Sequence, residues 1–282
     1  MRPVRSQSGK RTSHAREAYE TAAPYKKEEL YEIMKSVLLG LVTPALLTSV
    51  VLIAPLGAFA ASCGISKPDA RDAVALSPDF YKVVIDNDQI RIIEETIPAG
   101  AKEPAHSHVW PAIVIEDTQR PGEIPAVRNF KSVWEPATKK SKGAVAGKDG
   151  YHALRVELKK GDCEPVKNPP LPPSDGVVIH DPKIKVPFEN AWVRVLEIEV
   201  QPNQAEPPHT HTWPSVVYYY RLPTSRRGTT DGKPPVDRPE LTKPQITFEN
   251  FAAEMHTLLN TGNYLYQAHR IEIKPVTDVA AK

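Results

Sequence analysis

The sequence predicts an all-β protein in which one domain is used twice, behind an apolar N-terminal segment. Three observations carry that prediction. Two stretches match at a constant offset of 103 residues, both copies alternate apolar and polar residues as strands do, and no segment after residue 66 has helical periodicity. A chain of 282 residues is too long for one small domain and sufficient for two. Several short strands at regular spacing point to a sandwich or barrel in each half.

Residues 1–33 are polar and mixed in charge, and read as an extension upstream of the folded protein. Residues 34–61 contain an uncharged apolar run, Val37 to Ala61, long enough to span a bilayer. Pro44 and Pro55 interrupt it, and it ends in Ala58-Phe59-Ala60, a small-residue pattern that suits signal peptidase. A cleaved export signal is therefore expected, with a periplasmic or secreted product; a retained membrane anchor is the alternative. Cys63 follows small residues much as a lipidated cysteine does, although the usual Leu three positions earlier is missing. A free thiol or a disulfide to Cys163 are the other readings, the latter permitted in an oxidising compartment.

Residues 1–61 hold eight Lys and Arg against five Asp and Glu; the remainder holds 28 against 29. The mature chain is thus nearly neutral, which gives no electrostatic case for nucleic acid or anionic lipid. Membrane contact is expected only through the N-terminal segment. Two cysteines exclude a disulfide scaffold and a Cys-rich zinc module.

The duplication defines the rest. The first copy reads Asn87-Asp88-Gln89-Ile90-Arg91, then Pro98-Ala99-Gly100, then HSHVWP from His106; the second reads Asn190-Ala191-Trp192-Val193-Arg194, then Pro202-Asn203, then HTHTWP from His209. A later block, Ala153 to Lys159 and Ala268 to Lys274, matches at offset 115. The second copy is therefore longer between these blocks, mostly from Arg221 to Lys243, and a surface loop is expected there. The domains are expected at 67–166 and 176–277, joined by a stiff Pro-rich linker at 167–175.

The two His-x-His pairs bear the chemistry. Residues two apart on a strand share a face, so His106 and His108, and His209 and His211, each present two imidazoles together. Neutral imidazole ligates Fe, Mn, Zn, Cu or Ni, but two ligands hold a metal poorly. In the second copy His256, followed by Asn260, can complete the set from an antiparallel strand. In the first copy the matching position is Ser141.

The spacing Gly100-x5-His106-x-His108 resembles the first motif of the cupin superfamily, and His256-x3-Asn260 resembles the second. With two copies the chain resembles a bicupin over residues 78 to 275. The resemblance implies a double-stranded β-helix, or jelly-roll barrel, in each half, with a metal or ligand at each barrel mouth. The chain departs from the pattern where the family's Glu should fall: those positions hold Ala112 and Ile113, and Ser215 and Val216. Asn203 replaces the motif Gly, but Asn tolerates a positive φ. What remains is a three-His set, His209, His211 and His256, of a kind that some cupin dioxygenases use for iron. A divalent ion is expected there, iron first, with Mn, Ni or Zn as alternatives. His106 and His108 form a weaker site in a degenerate first barrel.

Other residues have plainer expectations. Trp110-Pro111 and Trp213-Pro214 are expected to pack and bend strands. Arg91 and Arg194, with Glu94 and Glu197, are expected as solvated or paired surface charge. Arg155 and Glu157, and Arg270 and Glu272, share a strand face and are expected to pair within a barrel or at an interface. His180 and His269 are expected in solvent. The expected function is a metal-dependent, dioxygenase-type oxidoreductase acting on a small molecule. The alternatives are a non-catalytic periplasmic protein binding a sugar or other small ligand, and a structural protein. A homodimer is left open.

Overall fold

A computed structural model describes residues 66–117, 130–141, 143–161, 163–250 and 253–277. The expected extension and signal, and Cys63 with them, lie outside the described residues. A four-residue helix, α1 (Ala73–Leu76), is the sole helix among them.

The first half contributes β1 (Tyr81–Asp86), β2 (Ile90–Ile97), β3 (Ala112–Asp117), β4 (Phe130–Glu135) and β5 (Tyr151–Leu158). They form an antiparallel sheet in the order β1-β2-β5-β3-β4. A short β6 (Glu164–Pro165) follows. The second half holds β7 (Ile184–Glu189), β8 (Val193–Val200), β9 (His209–His211), β10 (Ser215–Arg221), β11 (Ser225–Thr229), β12 (Val236–Arg238), β13 (Gln245–Glu249), β14 (Ala253–Asn260), β15 (Tyr266–Ile273) and β16 (Val276–Thr277). Its larger sheet runs β13-β10-β15-β8-β7, the same order as in the first half. A smaller sheet, β12-β11-β14-β9, closes the barrel. In the first half isolated bridges, such as His108 to Thr138 and Lys102 to Val145, mark the same course. The stretch expected as a loop, Arg221 to Lys243, holds β11 and β12. The left-handed Gly232, at φ 82°, lies in their connection, and β11 pairs with β14.

Local chemistry explains the repeated hairpins. Asn87 Oδ1 accepts from the backbone N–H of Gln89 and Ile90, and Asn190 Oδ1 accepts from Trp192 and Val193, so each Asn closes the turn into the next strand. Gly100 and Asn203 both sit in the left-handed region, at φ 70° and 60°.

Strand alternation sends one face of each large sheet into its own barrel and the other against the other half. Ile90, Ile92, Ile113, Leu154 and Val156 of the first sheet join Val193, Val195, Val216, Tyr218 and Ile271 of the second in one core. Trp134 stacks on Trp192, with centroids 5.5 Å apart and planes 11° from parallel. The central strands of these sheets, β2, β5 and β3 in one and β8, β15 and β10 in the other, are therefore largely dry on both faces, which corrects two expectations. Arg91 and Arg194 are buried rather than at the surface, because the face they occupy lines a barrel. His269 is buried rather than in solvent: it stands between the halves, its ring 4.8 Å from Phe130 and 5.3 Å from Tyr220. His180 is exposed. Cys163 is buried and is not a free thiol.

Candidate metal centre

His209 and His211 project from β9 toward His256 on β14, which is registered opposite His209. All three are buried, and their ligand atoms lie within 4.8 Å of one another. The Nε2 atoms of His209 and His211 are 3.2 Å apart. Every Nδ1 in the set is engaged. His209 Nδ1 donates to the Pro207 carbonyl at 2.9 Å, and His256 Nδ1 to the Glu254 carbonyl at 2.8 Å. His211 Nδ1 donates to Glu272 Oε1 at 3.1 Å.

A carbonyl only accepts, so those contacts fix the proton on Nδ1 and leave the Nε2 lone pairs bare. Two bare lone pairs at 3.2 Å repel unless a cation lies between them, so the donor set fits a metal ion. Burial keeps the rings in the ligating neutral form. It lowers His209, lowers His211 well below the usual imidazole range, and brings His256 down to about 3.

A buried relay holds the set in place. Arg194 donates from Nη2 to Asp175 Oδ1 at 3.0 Å and from Nε to Glu272 Oε2 at 2.5 Å, and Glu272 receives His211. The guanidinium lies 4.6 Å over the Trp213 ring. The first barrel repeats the relay with Asp72, Arg91, Glu157 and His108, and Arg91 lies over Trp110. Arg155 and Glu157 therefore do not pair with each other, and neither do Arg270 and Glu272.

The first barrel brings His106 and His108 together, with Nε2 atoms 3.0 Å apart. Ser141 takes the place of His256: its N–H donates to the His106 carbonyl, and its Oγ is 3.2 Å from His106 Nδ1. Among the described residues, the one group of three or more His, Cys, Asp or Glu suited to a metal is His209, His211 and His256. Asn260 is a structural lock, its Nδ2 donating to the Val200 and Tyr264 carbonyls.

Sequence reasoning missed Glu103 and Glu206. Each is buried three residues before its His pair, and each has an Oε1 without a hydrogen-bond partner. The offset of 103 that relates the His pairs also relates these two, and Asp72 and Asp175 as well; that was the available signal. Burial, aided by the charge of Asp181, pushes Glu206 up to about 8. Glu206 lines a cavity of about 30 Å³ with His211 and His256, whereas the first barrel opens a cavity of about 420 Å³.

The repeated sheet order and the converging imidazoles define the class: a protein of two cupin-like, double-stranded β-helix barrels, the second with a three-His set. Solved structures similar to it include a cupin domain from Bordetella pertussis Tohama I. That domain is 23% identical over 33% of this chain and 92% of its own, with a TM-score of 0.29. The salicylate 1,2-dioxygenase of Pseudoaminobacter salicylatoxidans is 9% identical over 66% of this chain and 71% of its own, with a TM-score of 0.41. Bacillus subtilis oxalate decarboxylase, described for its Mn(II) centers, is 14% identical over 69% and 71%, with a TM-score of 0.37. No family model and no curated protein matches the sequence.

Proposed function

We propose that this chain is an exported, metal-dependent oxygenase that acts on a small molecule in its second barrel. One observation carries the reading: His209, His211 and His256 turn three bare Nε2 lone pairs toward one point, each with its Nδ1 already engaged. A divalent ion held by those three atoms, iron first and Mn, Ni or Zn as alternatives, would supply open positions where O2 and a substrate donor meet. The chain's own residues do the rest. Glu272 orients His211, burial excludes water and keeps the imidazoles neutral, and Glu206 holds a proton at its carboxyl at neutral pH beside the cavity. Export rests on the uncharged run from Val37 to Ala61 with its small-residue exit.

The test is metal content of the protein purified from its native compartment, for the wild type and for His256→Ala. Stoichiometric metal that the variant loses, with O2 uptake on a substrate, is the expected result. A metal-free wild type whose stability is unchanged by chelation overturns it. Mass spectrometry of the mature N-terminus tests export: an intact N-terminal segment overturns cleavage. The larger first cavity, which lacks a third imidazole, favours a second reading for that half alone, a ligand-binding role without chemistry.

A further inference from the structure

The wider cavity of the first barrel differs from its counterpart at a few matched positions. Ala144 and Leu258 stand at the same place in the two barrels, since their carbonyls accept from the backbone N–H of Glu103 and of Glu206, each at 2.8 Å. Each lines its own cavity, and the shorter side chain of Ala144 leaves space that Leu258 fills. The first cavity thereby reaches about 420 Å³, room for a ligand of several heavy atoms. The cross-strand neighbours Tyr81 and Glu95 stand where the second barrel has Ile184 and Ile198. These exchanges add a carboxylate and a phenol to the wall.

That wall is rich in acceptors and short of cations. Arg155 is the sole guanidinium or ammonium among the described residues lining it. Its Nε donates to Glu95 and its Nη2 to Glu135, so two carboxylates already outnumber it. Glu103 is a third. It is 8% exposed, and its Oε1 has no hydrogen-bond partner among the described residues. His106 Nδ1 stands 3.6 Å from that oxygen but is committed to the Pro104 carbonyl at 3.0 Å. His108 Nδ1 donates to Glu157 Oε1 at 3.2 Å, so the Nε2 lone pairs of both rings are bare, 3.0 Å apart. Buried acceptors of this kind call for a donor. Glu103, His106 and His108 do not gather as closely as the three imidazoles of the second barrel, so a single metal ion does not answer all of them.

We propose that the first barrel binds a small primary amine, its ammonium paired with Glu103 and its carbon chain against Tyr81, Ile97 and Tyr151. This rests on the ligand-binding reading of the first half and names the ligand's class. An ammonium carries a compact charge and three N–H donors, and its bonds to carboxylates are of the strong, charge-assisted kind. A quaternary ammonium has the charge but no donor, and leaves Glu103 bare.

The experiment is isothermal titration calorimetry on the full chain at neutral pH, as isolated and after metal removal, with butylamine and phenethylamine as probes. The controls are 1-butanol, butyrate, tetramethylammonium and magnesium chloride. The expected result is binding of an amine, equal in both states of the protein, and none of the controls. Glu103→Gln keeps the shape, removes the charge and should weaken amine binding by about tenfold or more. Ala144→Leu should abolish it by filling the cavity. Thermal melting of both variants is measured alongside; Glu103 forms no hydrogen bond through Oε1, so Glu103→Gln keeps the test informative if Ala144→Leu does not fold. Unchanged amine affinity in Glu103→Gln, or amine binding lost with the metal, overturns the inference. Binding of 1-butanol, butyrate or tetramethylammonium as tight as that of the amines overturns the amine class and leaves the ligand-binding reading standing. No binding of any probe overturns both.

Discussion

Glu272 joins the two arms of the relay, since one oxygen accepts from Arg194 and the other from His211. Glu272→Gln keeps the shape and removes the charge. We expect metal affinity to fall by about 10- to 100-fold, as for other outer partners of ligating histidines, measured by competition with a chelator. We also expect a loss of roughly 3 kcal/mol in stability, because Arg194 is left buried with Asp175 alone. Ser141 offers the converse test. It occupies the register position of His256, so Ser141→His should bring a third imidazole to His106 and His108 and raise the metal stoichiometry from one to two per chain. The His pairs were legible because residue type, spacing and duplication agreed. Glu103 and Glu206 were not, because a single Glu in a polar stretch reads as surface unless the repeat offset is applied to every titratable residue.

At the scale of strands, alternation puts Arg91 and Glu94, three apart on β2, on opposite faces. It could not say what covers each face. A central strand with a barrel on one side and the other half on the other has almost no wet face, and that is why Arg91 on β2 and Arg194 on β8 are buried although their alternation reads as half-exposed. The β11–β12 hairpin lies where the extra length of the second copy leads one to expect a surface loop; pairing of β11 to β14 makes it part of the smaller sheet instead. It is also the hairpin that brings Arg227 and Arg238 to the cavity. The turn before the second His pair was legible in physical terms. Asn203 at φ 60° holds the place of Gly100, so Asn203→Gly should be nearly neutral, whereas Asn203→Ala should cost about 1 kcal/mol in a denaturation titration.

Across the whole molecule, the packing of the halves carries a pH dependence. Burial lowers His269 to about 4, against about 6.5 for an unfolded imidazole. The folded form therefore disfavours the proton: this contribution to stability is full above about pH 6.5 and is lost as pH falls toward about 4. His269→Phe keeps an aromatic ring between Phe130 and Tyr220 and removes the titration. The variant should lose about 2 kcal/mol less than wild type between pH 7 and pH 5; parallel stability curves for the two proteins would refute the assignment.

The shared core between the halves has a further consequence. Trp134 meets Trp192 where β4 approaches the start of β8, and Gln89, at the start of β2, donates its Nε2 to Asn250 just past β13. The same two places in the fold thus meet twice, once in each direction, as in an isologous interface. Within one chain, the two halves thus meet as the subunits of a symmetric dimer would. Linkage in one chain lets the halves diverge, because a substitution in one is not repeated in the other. One barrel can then keep three imidazoles and an arginine-lined cavity while its twin exchanges both for a wider, acidic one.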